Sequence, residues 1–147
     1  MKFEAQRVVD MIDFLETEVK ENHFNMKTWI TTSITTPSKV KKALKSKSNS
    51  THCKTSACSW GHAPLIWPLD WHYVNRYPAT SGYIAVRPLR SESKPWDERY
   101  IMNWFGISLD EVDRLFVGSY AMRRTLKQQI KRLKKFLDEK DYEMVEE

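Results

Sequence analysis

The sequence predicts an α+β fold, mainly α, built as a single compact domain over residues 1–147 with a short β element and C-terminal helices. Three observations carry that prediction. Near both ends, apolar residues recur at three- and four-residue spacing, the mark of amphipathic helices. The middle is broken by Pro64, Pro68, Pro78 and Pro88, which forbid a long helix. At 147 residues the chain fills one core and is too short for two ordinary domains.

Composition narrows the class further. Hydrophobic residues make up 41% and aromatic residues 12%, enough apolar material to favour a folded chain over a disordered one. No apolar run approaches the roughly 20 residues a membrane helix needs. The opening stretch carries Glu4, Asp10, Asp13 and Glu16 where a signal peptide has an uninterrupted apolar segment. The expectation is therefore a cytoplasmic protein that does not enter a membrane. A net charge of +5 permits an anionic partner.

Each element follows from local pattern. Ala5, Val8, Ile12, Leu15 and Val19 form the apolar stripe of a first helix, which Asn22 and His23 end. Alternation from Phe24 to Trp29 leads into the β-branched run Ile30 to Thr36, a short strand or extended arm. Pro37 to Lys54 turns to lysine and serine. There the pattern predicts a helical turn near Val40 to Leu44 and then a mobile Lys/Ser-rich loop at 45–54, which holds too little apolar surface to offset its ordering entropy. A short helix is expected from about Thr55 to Ala63, and a brief strand over Gly82 to Val86. In the last third, Pro95 opens a helix that Gly106 stops, and Ile101, Trp104 and Phe105 face inward. Ser108 and Glu111 form a capping-box pattern ahead of Leu109, Val112, Leu115 and Phe116. The longest helix is expected from about Ala121 to Asp141, with Met122, Leu126, Ile130, Leu133 and Leu137 as its stripe.

Four segments invite chemistry, each beside a plainer reading. His52, Cys53, Cys58 and His62 supply the ligand types zinc prefers, and a helix from Thr55 would put Cys58 and His62 on one face at i and i+4. Their spacing is not that of a zinc knuckle, so a small buried thiol and an exposed His52 are preferred, and neither metal nor other cofactor is expected. Cys58 and His62 as nucleophile and base would sit side by side on one helix rather than converge on a substrate from separate elements. Glycine-rich phosphate loops and hydrolase or zinc-protease motifs are missing from the sequence, so no catalytic residue is assigned. Trp60, Trp67, Trp71 and Tyr73 either fill the core or wall a pocket over residues 60–83, with His62, Arg76 and Arg87 as polar handles. Basic residues gather in two places, Lys41, Lys42 and Lys45 in one and Arg124, Lys127, Lys131 and Lys135 in the other. They are either solvated faces or phosphate contacts. A helix-turn-helix over residues 100–116 is disfavoured because Asp110, Glu111 and Asp113 would face phosphates.

The motifs also have an order. Phe24, Asn25, Met26 and Trp29 come first. Cys53, Thr55, Cys58, Gly61, His62 and Ala63 follow, and the series closes with Gly106, Ile107, Ser108, Glu111, Leu115 and Phe116. This succession resembles a group of small bacteriophage proteins with F-[DN]-M-x-x-W, C-G-T-x-x-C-x-x-G-[WH]-A and L-G-L-[ST]-x-x-E-x-x-x-L-F motifs. Lys54 stands where that pattern has glycine, and Phe105 where it has leucine. The resemblance implies a phage or phage-derived setting and a mixed, mainly helical fold. From these readings the first expectation is a non-enzymatic accessory protein that binds a host protein, another host macromolecule or a defence complex. A nucleotide-like small-ligand binder using residues 60–83 and a nucleic-acid binder using the basic patches are the alternatives.

Overall fold

The computed structural model describes residues 2–24, 26, 30–31, 41–42, 44, 56–75, 84–88 and 97–145. Helix α1 spans Ala5–Thr17 and buries Val8, Ile12 and Leu15 of the predicted stripe; Met11 joins them, Ala5 is half-buried and Val19 lies beyond the helix end. A 3₁₀ turn, Glu21–His23, ends that segment. Strand β1, Ile30–Thr31, pairs antiparallel with β2, Ser56–Ala57, placing Ile30 opposite Ala57. Residues 41, 42 and 44 are helical, as the pattern near Val40 predicts, and Leu44 is buried. The Lys/Ser-rich loop at 45–54 lies outside the described residues.

The expected helix from Thr55 to Ala63 is corrected. Residues 56 and 57 are committed to the β1–β2 pair instead, and the chain then makes a 3₁₀ turn, Trp60–His62, before the one-turn helix α2, Ala63–Ile66. Pro64 sits in the first turn of α2, where its missing N–H costs nothing. Strand β3, Trp71–Asn75, follows and pairs antiparallel with β4, Ile84–Pro88, in the register Trp71–Pro88, Tyr73–Val86 and Asn75–Ile84. Strand alternation turns Trp71, Tyr73 and Val86 into the core.

Helix α3, Asp97–Phe105, stops at Gly106, whose φ of 67° is the left-handed geometry glycine supplies at a helix end. The N-terminal strand-like segment crosses this point closely. Glu4 N–H donates to Phe105 O, and a Cβ on Gly106 would lie 1.9 Å from the carbonyl oxygen of Lys2. Arg7 adds a hydrogen bond to Trp104 O and lays its guanidinium 3.6 Å from the Trp104 ring centroid. The predicted capping box opens helix α4, Leu109–Val112: Ser108 Oγ accepts from Glu111 N–H, and the Glu111 carboxylate accepts from Ser108 N–H. Within this segment Leu109 departs from the inward stripe and is 48% exposed, while Val112, Leu115 and Phe116 are buried.

From Asp113 to Val117 the helix widens into a π-turn. After Gly118 a 3₁₀ turn, Ala121–Arg123, intervenes before helix α5, Leu126–Val145. The predicted start at Ala121 is therefore five residues early. Met122 falls outside the buried stripe, and Phe136 and Gln129 join it. The true start is a second capping box, in which Thr125 Oγ1 accepts from Gln128 N–H and Gln128 Oε1 accepts from Thr125 N–H. One hydrophobic cluster draws on α1, both ends of the β3–β4 hairpin, α3, α4 and α5, so the fold is α+β and mainly helical.

Candidate functional site

Trp60, Trp71 and Tyr73 are buried in the core, and Trp67 is half-buried against it. Trp60 is 1% exposed, and its ring meets Trp71 edge-on at 4.7 Å and Phe105 at 6.0 Å between centroids. Trp67 and Trp71 both pack edge-on against Trp104, at 5.2 and 5.3 Å. The Nε1 atoms of Trp60, Trp71 and Trp104 are buried without a hydrogen-bond partner. Arg87 donates to Val86 O and lies over Tyr100. Arg76, proposed as a handle for the same pocket, lies outside the described residues.

The Cys58–His62 turn is bound to itself. Gly61 N–H donates to Cys58 Sγ, and the Tyr73 hydroxyl donates to Gly61 O at 2.7 Å. His62 Nδ1 lies 2.9 Å from Cys58 O. Because a carbonyl only accepts, Nδ1 carries the proton and Nε2 is left bare, buried and without a partner. Phe24 stacks on this ring at 6.4 Å. Burial lowers the imidazole to about 4, against the raising effect of the Cys58 carbonyl. Burial likewise pushes the Cys58 thiol up to about 11 and the Tyr73 phenol above its ordinary value. A thiol held so far above neutral pH is no nucleophile. His52 and Cys53 lie outside the described residues. Among the described residues no group of three or more His, Cys, Asp or Glu side chains comes together.

The C-terminal basic residues, in contrast, converge. Arg123, Arg124, Lys131, Arg132 and Lys135 line an open groove of about 480 Å³ between the Ala121–Arg123 turn and the first turns of α5. Tyr120 and Gln128 complete the lining, and among the described residues no acidic side chain belongs to it. Gln128, Lys131, Arg132 and Lys135 stand at i, i+3, i+4 and i+7, one face of the helix. Tyr120 is 82% exposed at the edge. Among the described residues no carboxylate pairs with Arg123, Lys131 or Lys135. Arg132 has a long ion pair of 3.6 Å with Glu139.

Arg124 is the fixed wall of the groove rather than a free charge. Its Nη1 donates to Leu115 O and Gln129 Oε1, and its Nη2 donates to Arg114 O. These donors satisfy carbonyls that the π-turn has taken out of the ordinary helical ladder. Gln129, fully buried, supports the arrangement from beneath by donating to Leu115 O at 2.9 Å and to Ser59 Oγ at 3.2 Å. Burial and the neighbouring Arg132 both lower the Arg124 guanidinium, the expected sign for two cations held together.

A second recess, of about 300 Å³, shares Arg123 and Arg124 with the groove. Phe24, Met26, Met122 and Leu126 give it apolar walls, and Glu21 stands at its edge. Of the residues named from sequence, Arg124, Lys131 and Lys135 line the groove. Lys127 is exposed outside it, Lys41 and Lys42 belong to the other end of the chain, and Lys45 lies outside the described residues. Tyr120 and Gln128 were not assigned to the site from sequence. The Thr125-x-x-Gln128 pattern is the signal that locates the helix start and hence the groove. The chain matches no protein-family model, no curated protein and no solved structure.

Proposed function

We propose that this chain is a non-enzymatic binding protein whose working surface is the basic groove, and that its partner is an anionic macromolecule. The observation that carries this reading is the convergence of five cationic side chains on one acid-free recess. Like charges so placed repel one another, and an anion relieves that cost when it enters. The phage-like motif order adds a setting, in which the partner is a host macromolecule or a component of a defence complex. The catalytic alternative has no support in the Cys58–His62 turn, where both groups are locked in neutral form at neutral pH.

Reversing two exposed charges tests the reading. With a fluorescent heparin fragment as a generic polyanion, Lys131→Glu combined with Lys135→Glu is expected to weaken binding at least about tenfold, given roughly 1 kcal/mol per removed or reversed contact. Both side chains are exposed, so the fold should survive the exchange. Equal affinity of the wild type and the double variant would overturn the proposal.

A further inference from the structure

Resting on the reading of the groove as an anion site, we infer that its ligand is single-stranded nucleic acid. In this assignment the phosphates track the α5 face, one base stacks on Tyr120 and a neighbouring base enters the recess walled by Phe24, Met26 and Met122. Three features of the surface select this ligand over other polyanions.

The first is the pairing of charge with an aromatic platform. An exposed tyrosine beside an acid-free cationic groove is the combination that single-strand binders use, because every base has a face to stack and every nucleotide a phosphate to neutralise. A sulfated glycan carries no aromatic face at each anionic unit, as a nucleotide does. The second is the adjoining recess. It meets the groove at Arg123 and Arg124, Phe24, Met26, Met122 and Leu126 give it an apolar side, and Glu21, its one acid among the described residues, would repel a phosphate. The same carboxylate can accept a hydrogen bond from the exocyclic amine of a base. The third is shape. The cations come from both the Ala121–Arg123 turn and the α5 face and border a shallow open groove, whereas a duplex is read by one helix or ribbon inserted into its major groove.

Dimensions fit. Residues 128 to 135 span about 10 Å along the helix axis, at 1.5 Å per residue, which matches roughly three nucleotides of a stacked strand. Arg123, Lys131 and Lys135 are then the phosphate contacts. Arg124, pinned to the π-turn carbonyls, is a positioning residue that shapes the junction between the two recesses.

Fluorescence anisotropy with labelled oligodeoxycytidylate, oligocytidylate, a short duplex and the heparin fragment distinguishes this from the broader reading. Both single strands are expected to bind more tightly than the duplex. Their log K should fall with log salt at a slope of about −2, from three neutralised phosphates. Lys131→Ala with Lys135→Ala should flatten that slope by about 1.4. Tyr120→Ala should cost single strands about tenfold and heparin clearly less, and Tyr120→Phe should retain most of the affinity. A preference for one of the two single strands supports the inference and identifies the sugar. If the duplex binds as tightly as the single strands, or Tyr120→Ala loses nothing, the nucleic-acid inference fails while heparin still tests the groove. If no polyanion responds to the charge reversal, both fail.

Discussion

His62 is where a single residue most directly sets a property of the whole protein. Its ring is fully buried, donates through Nδ1 to Cys58 O and holds Nε2 bare among aromatic neighbours. A group whose folded value lies near 4 while its unfolded value is 6.5 binds fewer protons when folded. Its contribution to stability is then complete above pH 6.5 and is lost as pH falls toward 4. At pH 5 the loss amounts to about 2 kcal/mol. Urea midpoints measured from pH 7 down to pH 5 should therefore fall, and they should stay level in His62→Gln, whose baseline will be lower. A wild-type midpoint that is flat over this window would show that the ring does not titrate on unfolding. None of this is legible in the Cys58-to-His62 spacing. That spacing invites a metal or a thiolate, and only burial reveals a turn that ties itself together.

At the scale of elements, the structure is most readable where a local rule is sufficient. The stripe of α1, the Ser108–Glu111 capping box and the stop at Gly106 each depend on residues within one or two turns, so spacing alone finds them. Prediction fails at Thr55–Ala63, because residues 56 and 57 answer to a partner at residues 30 and 31 rather than to their neighbours. It fails again at Met122, where the long apolar stripe is extended backward across a separate 3₁₀ turn. The Gly106 stop makes a sharp prediction. Gly106→Ala adds a side chain in left-handed geometry, at about 1 kcal/mol, and drives it into the backbone of residue 2. The expected loss is at least about 3 kcal/mol, read by urea denaturation, or release of the N-terminal crossing, read by amide hydrogen exchange at Glu4. Full retention of both would contradict the clamp.

For the molecule as a whole, core and groove are joined through Gln129. This one buried amide touches Ser59 from the turn before α2, Leu115 in the π-turn and Arg124 in the groove wall. Gln129→Leu keeps the volume and removes all three bonds, leaving buried partners unsatisfied at about 1–3 kcal/mol in total stability. Because Arg124 loses a tether, polyanion affinity should fall as well, even though residue 129 is inaccessible. An affinity unchanged in a destabilised Gln129→Leu protein would separate the two regions. Part of the groove is legible in the chain, since the spacing groups Arg124, Lys131 and Lys135; Tyr120 is not, because it precedes α5 and joins the site through the Ala121–Arg123 turn.

The indole cluster has an optical consequence. Trp60, Trp71 and Trp104 lie edge-to-face in sequence, with Trp67 against Trp104, at centroid distances between 4.7 and 5.3 Å. Transition dipoles so close and so fixed in angle couple, which gives near-ultraviolet circular dichroism far stronger than isolated indoles produce. That signal depends on ring geometry rather than on helix content. When packing loosens before the helices unwind, it collapses first while the far-ultraviolet spectrum persists. The cluster thus serves as a built-in gauge that separates loss of packing from loss of helix.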